Sequence, residues 1–254
     1  MSGVPNVPRY PGAEVFNGQQ YHSSRHLGGD AWSGKRAVVI GANNSAHDIC
    51  ADLVENGAEV TMVQRSSTHI VRSDSLMELV FGGLYSEDAL ETGLTTDKAD
   101  MLFASIPYKV MPGFHQPIFA AIKERDKDFY ERLAKAGFML DFGDDESGLF
   151  MKYVRRGSGY YIDVGASELI ANGTIKLKSA PGLGVECIEA DAVVLNDGSR
   201  LPADLIVYAT GYGSMNGWAA KLISQEVADK VGRCWGLGSG TTNDPGPYEG
   251  ELRN

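Results

Sequence analysis

"AVVIGANNSAHDICADL", residues 37–53, is the stretch whose reading decides the fold. Val38, Val39 and Ile40 form an apolar run that ends at Gly41. Ala46, Ile49, Cys50, Leu53 and Val54 then recur at i, i+3, i+4, i+7 and i+8, which places them on one face of a helix. Gly57 suits the helix C-terminus, and EVTMV at 59–63 reads as the next strand. So short a crossover implies a right-handed β-α-β unit with parallel strands.

The corner between strand and helix, G-A-N-N-S-A at 41–46, has the outline of a pyrophosphate loop, G-x-G-x-x-G/A, with Asn43 in place of the second glycine. Such a loop works by aiming backbone N–H groups and the positive end of a helix at the phosphates. Asn tolerates left-handed backbone better than other non-glycine residues, so Asn43 is expected as a left-handed turn residue. Ser45 is expected to cap the helix, and Ala46 is small enough for close packing on the strand. Asn44 completes the loop. The second strand ends in Gln64-Arg65-Ser66-Ser67, not in the acidic residue that holds an unphosphorylated ribose. A guanidinium with two hydroxyls, Arg65 with Ser66 and Ser67, fits the 2′-phosphate of NADP.

The 254 residues carry 33 acidic and 23 basic side chains, a formal charge of −10. That balance disfavours a nucleic-acid or anionic-membrane partner. No apolar run approaches the length of a membrane span, and MSGVPNVPRYPG has no signal-peptide pattern, so a cytoplasmic location is expected. Cys50, Cys187 and Cys234 form no CxxC, which counts against dithiol chemistry.

Residues 1–34, rich in Pro, Gly, Ser and Gln, read as an extended arm. From 74 to 140 Leu, Met, Phe and Tyr recur at helical spacing, and 118–138 is expected to be one helix with Ile118, Ile122, Phe129, Leu133 and Ala136 on one face. TIKL (174–177), AVVL (192–195) and DLIVYAT (204–210) read as strands, and Asp197-Gly198 as a hairpin turn. The Gly- and Pro-rich tail, 235–254, reads as loop. His47 is expected on the polar face of its helix. His69 and His115 have no partner at metal-ligand spacing, and the acidic run Asp141, Asp144, Asp145, Glu146 lacks an EF-hand pattern and reads as a solvated loop.

Four motifs in order resemble the flavin-containing monooxygenases, including the plant enzymes that act on indole-3-pyruvate and the related Baeyer–Villiger enzymes. F16-N-G18-Q-Q-Y-H22-S23-S24 resembles their F-x-G-x-x-x-H-S-S signature. Residues 34–46 resemble their NADPH loop, and Arg65-Ser66 their NADPH-selecting pair. Y161-I-D-V-G165 and Y208-A-T-G-Y212 resemble the later part of the same domain. Asn43 departs from the usual glycine, and His26 from a position that is often aromatic.

The resemblance implies an α/β, Rossmann-like NADPH-binding domain over 35–215, with a helical insertion at 74–140 and a β-rich return segment. Residues 1–34 would be a signature-bearing arm, and 216–254 the start of a return to an FAD domain. The family's N-terminal FAD motif has no counterpart here, so the chain resembles the NADPH-binding portion of a longer flavoprotein. Gly236-Leu-Gly-Ser-Gly240 is no replacement for that motif. His22, Ser23 and Ser24 would lie between the two cofactors, and Thr210, Gly211 and Tyr212 beside the coenzyme. In the family NADPH reduces FAD, and O2 then supplies one oxygen atom to a small organic substrate. The rival readings are a stand-alone, non-catalytic NADP-binding module and a different pyridine-nucleotide flavoenzyme such as a disulfide reductase.

Overall fold

The computed structural model describes residues 3–232. The first half of the fold comprises β1 (Gln19–His22), β2 (Arg36–Ile40), α1 (Asn44–Glu55), β3 (Glu59–Gln64) and β4 (His69–Arg72). A helical block follows: α2 (Ser73–Leu76), α3 (Glu87–Glu91), α4 (Thr96–Ala104), α5 (Met111–Arg125), α6 (Lys127–Lys135) and α7 (Leu149–Arg156). Then come β5 (Tyr160–Asp163), α8 (Ala166–Ala171), β6 (Lys176–Ser179), β7 (Val185–Glu189), β8 (Ala192–Leu195), β9 (Arg200–Pro202), β10 (Leu205–Tyr208), α9 (Asn216–Leu222) and α10 (Gln225–Val231). Cys234 and the 235–254 tail, with Gly236 to Gly240, lie outside the described residues.

Five parallel strands form the main sheet in the order β1-β10-β2-β3-β6. Ile40 pairs with both Tyr208 and Val63, and Tyr208 pairs with His22, so four strands end level along one edge. The apolar run of β2 reflects burial on both faces. Ala37 and Val39 pack on α1 through Ala46, Ile49, Cys50 and Leu53. Val38 and Ile40 pack on the opposite side against Ile188, Val193, Leu195 and Leu201 of the antiparallel sheet β7-β8-β9. Each such fully buried aliphatic side chain contributes roughly 1.5–3 kcal/mol. The expected hairpin joins β8 to β9, with Gly198 at φ 82° in its turn. Gly57 follows α1 at φ 84°, and its N–H donates to the Val54 carbonyl.

Several elements differ from the sequence-based expectation. Residues 19–22, expected within an extended arm, form edge strand β1 of the main sheet. Four polar-to-aromatic residues held mainly by backbone bonds to β10 leave no periodic signal. The single helix expected at 118–138 is two, because the chain breaks at Asp126. The Asp126 carboxylate is buried, accepts a hydrogen bond from Ser75 Oγ (2.5 Å) and pairs with Arg72 (3.5 Å). The helical block runs from Ser73 to Arg156, and the flanking strands β4 and β5 pair with each other in a separate parallel ribbon.

The acidic run is a charge-paired loop, not a freely solvated one. Asp141 pairs with Lys152, and Asp145 with Arg155 at 2.8 Å. Burial works against the Asp145 carboxylate, but Arg155 and Ser147 outweigh it and hold its pKa down to about 2.

Candidate functional site

The chain leaves β2, turns through α1 to β3 on one side, and later returns as β10 on the other. In an open parallel sheet such a reversal opens a crevice at the carboxyl ends of the strands. Here that crevice is lined by Gly41, Ala42 and Asn43 after β2, Arg65 and Ser66 after β3, and Ala209 and Thr210 after β10. Leu183, Gly184 and Val185 form a far wall, and Asn6, Pro8 and Tyr10 a cover.

Gly41 has φ 133°, and a Cβ there would lie 2.3 Å from the Ala209 carbonyl oxygen. Glycine is therefore required where the loop passes the end of β10. Asn43 adopts φ −106° and ψ −168°, extended rather than left-handed. It is the N-cap residue of α1, and its side chain makes no capping bond. Ser45, expected to cap, is an exposed residue inside the first turn. The Asn43 carbonyl carries the load instead, accepting from Ala46 N (3.0 Å), His47 N (3.1 Å) and His47 Nδ1 (3.0 Å). Asn44 and Ser45 thus present first-turn N–H groups that no intrahelical carbonyl can satisfy, at the positive end of the helix. Asn44 Oδ1 also accepts from Ile162 N at 3.4 Å, tying the helix start to β5. Ala46 is 1 % exposed, packed on the strand as its size predicts.

Six arginines among the described residues are ion-paired: Arg36, Arg72, Arg125, Arg132, Arg155 and Arg200. Arg65 is exposed in the crevice and enters no salt bridge among the described residues. Its charge is felt by Tyr10, whose phenol burial pushes up and Arg65 partly draws back. Ser66 lines the crevice, whereas Ser67 lies outside the lining, on the side of Asp141, whose carboxyl it helps hold down.

The histidine signature forms a joint between the two neighbouring strand ends. Ser24 N donates to His22 Nδ1 (3.1 Å), which fixes Nε2 as the protonated nitrogen; Nε2 donates to the Gly211 carbonyl (2.8 Å). The Ser24 hydroxyl reaches Nδ1 at 2.9 Å, and the imidazole edge meets Tyr212 with ring centroids 5.0 Å apart. The Ser23 carbonyl accepts from His26 N, closing the turn. His26, the departure from an aromatic residue, contacts Asp52 of α1 at 2.6 Å and Tyr21 Oη at 3.2 Å. Thr210 Oγ1 donates to the Asn6 carbonyl (2.5 Å), and Asn6 N donates to the Gly211 carbonyl (3.0 Å), so the N-terminal segment is laced across the β10 return.

Gly41, Asn43, Arg65, Ser66 and Thr210 thus meet in one crevice. Asn44, Ser45 and Ala46 start its helix. His22, Ser23, Ser24, Gly211 and Tyr212 brace its side, and Ser67 is turned away. The sequence reading missed Tyr10, the Leu183–Val185 wall and His47. His47, expected at the surface, is fully buried and stacked on Tyr161 with centroids 4.1 Å apart and planes 9° apart. Burial pushes its pKa down to about 4. Cys50 is buried and Cys187 part-buried, and both are free. No group of three potential metal ligands occurs among the described residues, and no described helix is long and apolar enough to cross a membrane.

The family described as pyridine nucleotide-disulphide oxidoreductase matches residues 2–105. Among curated proteins, an indole-3-pyruvate monooxygenase, YUCCA8 of Oryza sativa subsp. indica, is 27 % identical over 208 residues, 82 % of this chain and 42 % of the relative. YUCCA1 of Oryza sativa subsp. japonica is 27 % identical over 231 residues, 89 % of this chain and 50 % of the relative. The chain is thus similar in sequence to proteins named as monooxygenases. It spans two-fifths to half the length of these monooxygenase relatives. Among solved structures, an oxidized steroid monooxygenase bound to NADP shares the fold at TM-score 0.58 and 18 % identity, covering 87 % of this chain and 47 % of that one. A cyclohexanone monooxygenase bound to epsilon-caprolactone does so at TM-score 0.56 and 16 % identity, covering 85 % and 48 %. These likenesses to monooxygenase structures support the α/β fold described above.

Proposed function

We propose that this chain is the NADPH-binding part of a flavin-dependent monooxygenase. The observation that carries the reading is the crevice itself: a glycine-pinned loop, a helix N-terminus and an arginine that enters no salt bridge among the described residues, all at one strand edge. The first-turn N–H groups of Asn44 and Ser45 would hold the pyrophosphate, and the Arg65 fork with Ser66 the 2′-phosphate. Gly41 keeps the backbone close to the end of β10, and Ala46 keeps α1 close to the sheet. The His22–Gly211 joint sets the spacing between the β1 and β10 ends, where the nicotinamide half would emerge. Bound NADPH supplies a hydride; the protein's part is to place and orient it.

FAD belongs to the proposal through the monooxygenase relatives. The crevice residues fit NADP, but no second glycine loop leading into a helix N-terminus at this sheet edge is found among the described residues. We therefore assign no FAD contact and no oxygen-transfer step to this chain's residues. O2 and a small organic substrate are the co-reactants that the family reading implies, and a cytoplasmic setting goes with it.

Calorimetric titration with NADP+ and NAD+ tests the coenzyme assignment. The unmutated chain should prefer NADP+, and Arg65→Ala should remove roughly 1.5–3 kcal/mol of that preference, the range of a hydrogen bond to a charged group. Equal affinity for both coenzymes in the unmutated chain would sink the assignment. A stand-alone binding module is the second reading, favoured by the loop, the helix start and Arg65 all lying in one crevice of the described residues. NADPH-dependent oxygen consumption with added FAD would argue against that second reading, whereas NADP+ binding without it is the outcome both readings expect of this chain.

A further inference from the structure

His47 is the buried ionisable group closest to the loop that the coenzyme reading leaves unused. Its Nδ1 lies 3.0 Å from the Asn43 carbonyl, an acceptor, so Nδ1 carries the proton. Nε2 is then a bare lone pair, and it is buried without a hydrogen-bond partner. The ring is clamped between Tyr161 of β5, stacked at 4.1 Å, and Phe138, tilted at 5.6 Å. The Asn43 peptide is the last one before α1, and it takes three donors, two of them from His47.

We propose that His47 is a positioning residue for the 41–46 loop: as a neutral imidazole it fixes the Asn43 peptide, and acid releases that hold and weakens dinucleotide binding. The inference rests on the coenzyme reading for its binding consequence, and on geometry alone for the loop.

The hold needs the neutral ring because a second proton would go to Nε2, which has no acceptor and no water-facing surface. An imidazolium there is an uncompensated buried charge. The ring is then driven out of the Tyr161–Phe138 slot, and the Asn43 carbonyl loses its side-chain donor. The charged groups around the ring do not rescue it. From β5, Asp163 favours the proton, but its carboxylate is committed to Gly165 N (3.3 Å) and Ser167 N (3.0 Å). On α1, Asp48 acts on the stacked Tyr161. The ionisable residue of α8 is Glu168, which is bound to Arg132 at 2.8 Å on the surface. The segment over the ring's other side contributes Phe138, which is uncharged. Burial is accordingly the largest influence on the ring, ahead of the Asn43 bond and Asp163.

The test pairs two variants. His47→Phe keeps a ring in the slot and removes the donor; His47→Asn keeps a donor at the Nδ1 position and removes the ring. Both abolish titration. NADP+ affinity is measured by calorimetry from about pH 8 to 4, with thermal unfolding at each pH to mark where the fold is still intact. The 2′-phosphate, with a second pKa of about 6, titrates equally for all three proteins and cancels in the comparison. The hold predicts that the His47→Phe protein binds about tenfold more weakly at pH 8, one hydrogen bond's worth near 1.4 kcal/mol. It predicts that His47→Asn recovers most of that loss, and that both profiles are flatter than wild type below about pH 5, as the ring of the folded protein takes up its proton near pH 4. Wild-type affinity and wild-type acid sensitivity in a folded His47→Phe protein overturns the proposal, as does equal weakening in both variants.

Amide hydrogen exchange of Ala46 and residue 47 in the ligand-free chain gives the answer that does not depend on coenzyme. Exchange should quicken in His47→Phe and not in His47→Asn. If NADP+ binds to none of the three proteins, the coenzyme reading fails, and unchanged exchange in His47→Phe would then overturn the hold on the loop as well.

Discussion

At the scale of single residues, Gly41 and Asn43 show how two positions of one motif answer to different physics. Gly41 combines φ 133° with the Ala209 carbonyl where its Cβ would be. Gly41→Ala should therefore cost roughly 2–4 kcal/mol, a disfavoured backbone added to overpacking. Chemical denaturation would show it, and NADP+ binding should fall with it. Asn43 is the position where the motif departs from glycine, and there the backbone is extended and open to any residue. Asn43→Gly should cost only about 0.5–1 kcal/mol, through the extra freedom of the unfolded chain, and leave coenzyme affinity nearly unchanged. A large loss of affinity in that variant would mean that the Asn43 side chain contacts the ligand.

Secondary-structure elements were readable where burial imposed a period. β2, β3 and α1 read correctly because β2 is covered on both faces and α1 on one, so the apolar pattern follows the geometry. The β8–β9 hairpin was legible from Asp197-Gly198, since a tight turn demands positive φ. β1 was not legible: four residues at a sheet edge are chosen by pairing, and pairing with a strand more than 180 residues away leaves no local mark. The break between α5 and α6 was hidden for a similar reason, because helical periodicity continues across Asp126 while a distant Ser75 and Arg72 hold its carboxylate. Ser75→Ala should cost roughly 1.5–3 kcal/mol, since it removes a hydrogen bond to a buried charged group, even though the change is to a good helix former. A urea midpoint equal to wild type would mean that the Ser75 bond is unimportant. The crevice was half legible. Its loop and Arg65 are local features of one β-α-β unit, whereas Tyr10, the Leu183–Val185 wall and the burial of His47 depend on contacts distant in sequence.

For the molecule as a whole, buried histidines set the acid limit, His47 and His69 foremost and His115, lowered by burial as well, beside them. His47 and His69 are each depressed by burial to about 4 from an ordinary 6.5. His69 Nδ1 donates to the Asp141 carbonyl (3.0 Å), and its Nε2 is buried and unpartnered. The folded state refuses protons that the unfolded chain accepts, so their contribution is complete above about pH 6.5 and is lost progressively down to about pH 4. Each ring accounts for at most about 3.4 kcal/mol over that window. Asp145, held down to about 2, loses its contribution only at lower pH, from about 4 downward. Urea unfolding at about pH 7.5, 5.5 and 4.5 should show stability falling through the histidine window before the carboxylates titrate. A curve that stays flat to about pH 4.5 would show that one or both rings are solvated.

The most direct test of the central claim is a crystal structure of the chain soaked with NADP+. The account predicts the pyrophosphate against the N–H groups of Asn44 and Ser45, the 2′-phosphate in the Arg65 fork with Ser66, and an unmoved Gly41–Ala209 contact. A dinucleotide bound elsewhere, or bound here with Arg65 turned to solvent, would contradict it.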